Sequence, residues 1–159
     1  MLRRRAELPS EDTAIFLFRM ELPSNPELLS VVRSAVERVA CAAGFQDDGC
    51  RSITLAVDEA MTNIVRHAYL DRRGEPIQIT ARRIPAGAEF RLERIEFLLV
   101  DRGRGVCEAE MRGRPLDEIR PGGLGMHFIR EIMDEVEYEC RDGENRLRLV
   151  KYLAAKPSA

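Results

Sequence analysis

Residues 97–105 read FLLVDRGRG, an apolar run that ends in an aspartate followed by a glycine-rich turn. Residues 122–125 read GGLG and open an amphipathic segment, where the N-terminus of a helix presents unpaired N–H groups to an anion. A carboxylate at a strand end and a backbone cradle for phosphate together suggest the two ends of a nucleotide site. Taken alone, each stretch is also compatible with an ordinary turn or a flexible loop entering a helix.

The residues of the first stretch have a chemistry that suits a flat base. Asp101 could accept a hydrogen bond from an exocyclic amine such as the adenine N6 group, directly or through water. Gly103 and Gly105 lack a Cβ and would let the backbone approach the base closely. Walker A spacing is absent, and the third glycine of a dinucleotide fingerprint is missing, so a P-loop or Rossmann site is disfavoured.

Length and composition indicate one globular domain spanning residues 1–159, with residues 1–11 expected to be flexible. The net charge is 25 − 27 = −2, so no overall basic field points to direct binding of nucleic acid. No apolar run is long enough for a membrane span, and no secretion signal is recognisable. The four cysteines lack C-x-x-C spacing and are interpreted as reduced thiols, which favours a cytoplasmic protein.

Hydrophobic periodicity predicts an α+β order of β-α-α-β-β-lid-α-β-β. The predicted strands lie at residues 13–22, 77–81, 90–100, 136–140 and 147–153. The predicted helices lie at residues 26–43, with Asn25 as N-cap, at residues 50–69, and at residues 124–133. We expect a two-layer sandwich with the helices on one face of a mixed, mostly antiparallel sheet. Residues 104–121, which are polar and basic, are expected to form a lid.

Glu59 and Asn63 lie four residues apart on the second predicted helix, so their side chains share one face. A carboxylate can accept a proton from an attacking hydroxyl or water. An amide oxygen one turn away can supply a hard ligand to Mg²⁺, which takes few protein ligands. From spacing alone, the same stripe is also compatible with a solvated helix face.

Taken together, these segments resemble the ATP-binding module of the GHKL superfamily, and within it the anti-sigma-factor serine-protein kinases. Residues 58–69, DEAMTNIVRHAY, resemble the N box of that family. Residues 100–106, VDRGRGV, resemble the G1 box, and residues 122–126, GGLGM, resemble the G2 box. The continuation IMDEV at residues 132–136 and the order of the motifs also agree with the family.

The resemblance implies a Bergerat-type α/β sandwich in which Glu59 is the general base and Asn63 a Mg²⁺ ligand. Asp101 would read the adenine, and Gly123 and Gly125 would close on the phosphates. The full set of implied nucleotide-binding residues is Asn63, Asp101, Gly103, Gly105, Gly122, Gly123, Leu124, Gly125 and Met126. The lid at residues 104–121 is short and arginine-rich, and it does not match kinase members residue by residue.

The resemblance also implies an activity and partners. Members bind ATP, hold a sigma factor inactive, and phosphorylate a serine or threonine of a STAS-domain anti-anti-sigma factor. We therefore expect a Mg²⁺- and ATP-dependent serine/threonine protein kinase and anti-sigma factor, and a homodimer is reasonable for this family. Two alternatives stay open: an ATP-binding module that sequesters its partner without phosphoryl transfer, and a structural domain that binds no nucleotide.

Overall fold

A five-stranded antiparallel sheet forms one layer of the protein. The computed structural model describes residues 14–87, 91–105 and 123–153. The strands are β1 (Ile15–Pro23), β2 (Pro76–Ile84), β3 (Arg94–Asp101), β4 (Glu135–Arg141) and β5 (Glu144–Tyr152), in the sheet order β1-β2-β3-β5-β4. All four strand pairings are antiparallel. The predicted two-layer α+β sandwich is confirmed, with the correction that the described sheet is antiparallel rather than mixed.

Helices form the second layer. The cap at Asn25 is the one expected from the sequence, whereas the second helix begins at Asp47, before its predicted start at residue 50 and without a side-chain cap. The side chain of Asn25 caps a 3₁₀ turn at Pro26–Leu28 by accepting a hydrogen bond from the Glu27 N–H, and α1 (Leu29–Ala42) follows. Helix α2 (Asp47–Asn63) continues as one π-helical turn at Ile64–Ala68. Helix α3 (Gly123–Ile132) precedes β4. The predicted three helices are therefore confirmed, with an unpredicted π-helical end on the second.

The helical pair between β1 and β2 explains why these strands are antiparallel. Two helices joined by a short connection run in opposite directions, so the chain returns to the end of the sheet that it left. At that point the Ser24 N–H donates to the Glu75 carbonyl oxygen at 2.7 Å, and the Ser24 hydroxyl donates to the Arg72 carbonyl oxygen. A single helix would instead have produced a parallel crossover and a mixed sheet.

One face of the sheet packs against all three helices. The strand residues of this core are Ile77, Ile79, Ala81, Ile95, Phe97, Leu99, Leu147 and Leu149. They alternate along their strands, as the period of two in a pleated strand requires. Helices contribute Val36, Ile53, Val57, Met61 and Ile129, among others. At one end of this face the apolar rows give way to a polar row, in which Asp101 and Asn145 are register partners.

The opposite face of the sheet is mostly polar, with two apolar residues on its middle strand. Leu98 and Val100 lie in the middle strand, and a depression of about 430 Å³ beside them is also lined by Arg19, Glu21, Gln78 and Arg146. Further along this face the buried Glu96 accepts hydrogen bonds from Arg82 and Arg148. The three described α-helices all pack on the other face, so none of them covers this one.

The start of β3 differs from the sequence prediction, and the turn between β4 and β5 agrees with it. The alternation of apolar and polar residues predicted a strand over residues 90–100, but β3 begins at Arg94. Leu92 therefore precedes the strand, and Phe90 lies outside the described residues. Asp142 and Gly143 both have positive φ, as the predicted tight turn between β4 and β5 requires. Among the described segments, no helix combines the length and hydropathy needed to cross a membrane.

Candidate nucleotide site

Asp101 lies at the end of β3 and is buried, with 6% of its surface exposed. Its Oδ1 atom accepts two hydrogen bonds, from the Gly103 N–H at 2.8 Å and from Asn145 Nδ2 at 2.8 Å. Burial raises the pKa of this carboxyl, while the two hydrogen bonds act in the opposite direction. Both bonds end on Oδ1, so neither occupies Oδ2, which can meet a donor on a ligand.

Asn145 connects this carboxylate to the β4–β5 hairpin. It is 2% exposed and stands directly opposite Asp101 in the strand register. In addition to its bond to Asp101, Nδ2 donates to the Gly103 carbonyl oxygen at 3.1 Å. The Tyr138 hydroxyl donates to Asn145 Oδ1 at 3.1 Å. Neither residue was given a role from the sequence.

The glycine-rich turn after β3 packs directly on the end of the π-helical turn. A Cβ on Gly103 would lie 2.6 Å from the carbonyl carbon and oxygen of Ala68, which is closer than side chains approach backbone. The Arg104 N–H donates to the Ala68 carbonyl oxygen at 2.8 Å. Tyr69, which is 1% exposed, donates its hydroxyl hydrogen to the Pro76 carbonyl oxygen and accepts from the Arg102 N–H. Glycine at position 103 is therefore required by close approach.

The turn also touches the β4–β5 hairpin at Gly105. A Cβ there would lie 2.9 Å from Cys140 Sγ and 3.0 Å from Asn145 Oδ1. The backbone at residues 103–105 is therefore held between the helical end at Ala68 on one side and the hairpin on the other. A segment confined in this way presents its peptide groups in a constant position, which suits recognition of a flat ligand.

Glu59 and Asn63 meet the first turn of α3 through Gly125. A Cβ at Gly125 would overlap the Glu59 carboxylate and lie 3.2 Å from Asn63 Nδ2. The structure thus brings the predicted carboxylate and amide, which are four residues apart, together with the glycine-rich helix start, which is about sixty residues further along the chain. Because this is a helix N-terminus, its free N–H groups and dipole favour an anion at the same place.

Asn63 has the chemistry of a group that awaits a ligand. Its side-chain nitrogen Nδ2 is buried, and no hydrogen-bond partner for it occurs in the described part of the chain. A buried polar group without a partner is unfavourable, so a ligand that satisfies this amide would be stabilised. The amide offers a hard oxygen acceptor to a cation, and its NH2 group offers two donors to an anion. This donor set fits a magnesium–phosphate group.

The π-helical turn joins the two halves of this site. Asn63 ends α2, and Ala68, five residues later, supports the glycine-rich turn that follows Asp101. π-Helical turns are rare and occur frequently at functional sites. One helical segment therefore carries both Asn63 and the residue that supports the turn after Asp101.

Several predicted site residues lie outside the described ranges or at their ends. Gly122 and most of the predicted lid, residues 106–121, lie outside the described residues. Gly123 and Leu124 begin α3, and the structure describes only their backbone. Met126 lies in the same helix turn and packs on the hydrophobic core. The predicted roles of these residues in binding therefore stay predictions.

The architecture and the site together define a nucleotide-binding α+β sandwich. The chain belongs to the histidine kinase-like ATPase domain family, whose sequence profile matches residues 22–151. It is similar to proteins named "Serine-protein kinase RsbW". That of Halalkalibacterium halodurans is 31% identical over 144 residues, covering 84% of this chain and 82% of the relative. That of Bacillus pumilus is 29% identical over 136 residues, covering 80% of each chain. The resemblance inferred from the three motifs is confirmed, and ATP is the nucleotide that the family implies.

The residues that sequence reasoning missed share one property, namely that each acts through a contact with a different element of the fold. Leu149, Leu147 and Asn145 alternate along β5, so the period of two places a polar amide at an inward position. That inward amide was the available signal for Asn145. Tyr69 was quoted only as the end of a motif, and its two backbone contacts could not be read from spacing.

Gly103→Ala should destabilise the protein, because its new Cβ meets backbone atoms of Ala68 that cannot rotate away. We expect a loss of about 1–3 kcal/mol in the free energy of unfolding, measured by denaturant titration. Gly87→Ala is the matched control, since a Cβ there meets nothing within 4 Å. Equal stability of the two variants would contradict the close approach at Gly103.

Proposed function

We propose that this protein is a Mg²⁺- and ATP-dependent serine/threonine protein kinase and anti-sigma factor that phosphorylates a STAS-domain anti-anti-sigma partner. The observation that carries the proposal is the meeting of Glu59 and Asn63 with Gly125 at the start of α3. A possible base, a cation ligand and an anion-binding helix end converge there. Family membership and the similarity to proteins named serine-protein kinases support the same activity.

Under this proposal ATP lies along the π-helical turn. Asp101 Oδ2 accepts from the adenine amino group, and the backbone at Gly103 and Gly105 faces the base. The residues that meet the phosphates are those of the α3 start, Gly122, Gly123, Leu124, Gly125 and Met126. Residues 104–121 close over the nucleotide as a lid within a single domain of residues 1–159.

Asn63 is the proposed protein ligand of Mg²⁺, through its side-chain oxygen. Within the described ranges there is no group of three His, Cys, Asp or Glu side chains arranged to hold a metal ion. An ion at Asn63 therefore needs phosphate oxygens and water for its remaining ligands, which is the usual arrangement for Mg²⁺ with a nucleotide. Bound there, the cation supplies charge neutralisation to the transferring phosphoryl group.

Glu59 is the proposed general base. Its carboxylate takes the proton from the serine or threonine hydroxyl of the partner as that oxygen bonds to the γ-phosphorus. The bond between the γ-phosphorus and the bridging oxygen breaks, and ADP leaves. The N–H groups at the start of α3 stabilise the charge on the phosphoryl oxygens. Positioning and electrostatics supply most of the rate enhancement, as is general for phosphoryl transfer.

Glu59→Gln should keep ATP binding and lose transfer, because an amide has the same shape but accepts no proton from the hydroxyl. We expect the rate of phosphoryl transfer to fall by about 10²–10⁴-fold in an assay with radiolabelled ATP and a candidate STAS protein. Asp58→Asn is the matched control, since Asp58 pairs with Arg33 instead of facing α3. Wild-type rates in Glu59→Gln would refute the assignment of the base.

Asn63→Ala should remove the Mg²⁺-dependent part of ATP affinity, because the proposed protein ligand of the ion is deleted. Calorimetric titration with ATP, in the presence of Mg²⁺ and in excess chelator, measures this part directly. The titration in chelator serves as the internal control, because it reports any general damage to the site. An unchanged effect of Mg²⁺ in the variant would count against the role of Asn63.

The alternative function is sequestration of a partner in an ATP-bound state without phosphoryl transfer. Both functions use the same nucleotide site, and both place the protein in the cytoplasm with a sigma factor as partner. The assay that tests Glu59 also separates them. ATP binding without any transfer by the wild-type protein to a STAS partner that binds it would favour sequestration.

We further propose that the protein forms a homodimer through the face of the sheet that the described helices leave uncovered. Leu98 and Val100 provide an apolar centre on this face. In one register row Glu21 and Arg146 lie on opposite sides of Val100. Glu21 is two strands from Val100 and Arg146 is one strand from it, so a two-fold axis between Gln78 and Val100 would bring the glutamate of one copy to the arginine of the other. The face is self-complementary about that axis.

Leu98→Arg should convert the dimer to a monomer, because it introduces a charge at the centre of the proposed interface. Light scattering after size-exclusion chromatography gives the molar mass directly. Leu55→Arg is the control, since Leu55 is half exposed on a helix of the opposite layer. A monomeric wild-type protein, or a Leu98→Arg variant with the mass of a dimer, would contradict this interface.

A further inference from the structure

We propose that Asn145, held by Tyr138, is a positioning residue that orients Asp101 so that the site selects a 6-amino purine over a 6-oxo purine. The inference rests on the proposed nucleotide site and goes beyond it, since it assigns base selectivity to a pair of residues on the β4–β5 hairpin. Neither residue belongs to the motifs that identify the family. Their hydrogen bonds carry the inference.

The amide of Asn145 is almost fully used by the protein. Nδ2 has two hydrogens, and they are donated to Asp101 Oδ1 at 2.8 Å and to the Gly103 carbonyl oxygen at 3.1 Å. Oδ1 accepts from the Tyr138 hydroxyl at 3.1 Å. The residue is 2% exposed, so water does not compete freely for these bonds.

These partners permit only one orientation of the amide. A rotation of the Asn145 amide by 180° would direct its oxygen at the Asp101 carboxylate and at the Gly103 carbonyl, both of which are acceptors. Two facing acceptors repel each other, and in a buried place this repulsion is weakly screened. On the other side the Tyr138 hydroxyl donates to Oδ1 in the observed orientation. Because a phenol can also accept, the acceptors at Asp101 and Gly103 are what exclude the rotated amide.

A fixed Asn145 in turn fixes the carboxylate of Asp101. Its Oδ1 is tied to Asn145 and to the Gly103 N–H, so the carboxylate plane cannot rotate without breaking both bonds. Oδ2 is then presented as an acceptor in a constant place. An amino group on the purine satisfies it, whereas an oxo group faces it with a second acceptor. Selectivity arises from this unfavourable pairing as much as from the favourable one.

A merely structural role for Asn145 predicts a different outcome. Gly105 packs against Asn145 Oδ1, so loss of the side chain could loosen the whole turn and weaken every nucleotide alike. The positioning role instead predicts that nucleotides with different groups at purine position 6 are affected differently. The ratio of two affinities therefore separates the two roles.

The test compares ATP with inosine triphosphate, a 6-oxo purine nucleotide, by calorimetric titration in the presence of Mg²⁺. The wild-type protein should bind ATP more tightly. In Asn145→Ala the ATP affinity should fall by about tenfold or more, while the inosine triphosphate affinity changes little, so the ratio approaches one. Tyr138→Phe should give an intermediate ratio. Arg141→Ala is the control, because Arg141 lies on the same hairpin, is exposed and pairs with its neighbour Asp142.

A second variant keeps the shape of the side chain and adds a pH readout. Asn145→Asp places a carboxylate against Asp101, and two facing carboxylates share one proton with a raised pKa. The other titratable or charged groups near the pair are Tyr138 and Cys140 on β4, Tyr69 at the helical end, and Arg102. The ATP affinity of this variant should rise from about pH 8 to about pH 6, as the shared proton restores a donor. The wild type should show no such rise.

The outcomes distinguish failure of this inference from failure of the proposed function. If the wild-type protein binds neither nucleotide, or binds both equally, the proposed reading of adenine by Asp101 fails. If the wild type prefers ATP but Asn145→Ala keeps the same ratio, only the positioning role is overturned. If Asn145→Ala does not fold, the comparison is made with Asn145→Asp, and a flat pH profile in that variant overturns the inference.

Discussion

The burial of the Asp101 carboxylate is the constraint on which the rest of the site depends. Burial disfavours the charged form and raises the pKa of this group, so its ionisation weakens the folded state as the pH rises through that value. The donors that offset this penalty come from Asn145 on β5 and from the Gly103 N–H on the turn that follows. A ligand that donates a hydrogen bond to this carboxylate would offset part of the remaining free-energy penalty of its burial.

The turn that follows Asp101 connects the carboxylate to the helical layer. Gly103 packs on Ala68 because no side chain intervenes, and Ala68 ends the π-helical turn that begins after Asn63. The base end and the phosphate end of the proposed site are therefore positioned by one helix. Movement of α2 relative to the sheet would disturb both ends together, which makes the packing of the core a condition for function.

Much of this arrangement could be predicted from sequence because it depends on local rules. The cap at Asn25, which begins the 3₁₀ turn before α1, and the tight turn at Asp142 were predicted from residue types that are close in the chain, and both are observed. Glu59 and Asn63 were predicted to share a face from helical spacing. The antiparallel sheet was predicted less well, because strand direction depends on how two helices return the chain. The π-helical end had no signal in the hydrophobic pattern.

The sequence by itself determined the order of elements, the helix face that carries Glu59 and Asn63, and the glycines that permit close approach. These follow from the 3.6-residue and two-residue periods and from the absence of a Cβ. Only the tertiary structure decided that Asn145 meets Asp101 and that Gly125 faces Glu59. It also decided that the side-chain nitrogen of Asn63 is buried with no hydrogen-bond partner among the described residues. Each of these contacts joins residues distant in the chain. They arise from strand register and from packing between layers, which local sequence does not specify.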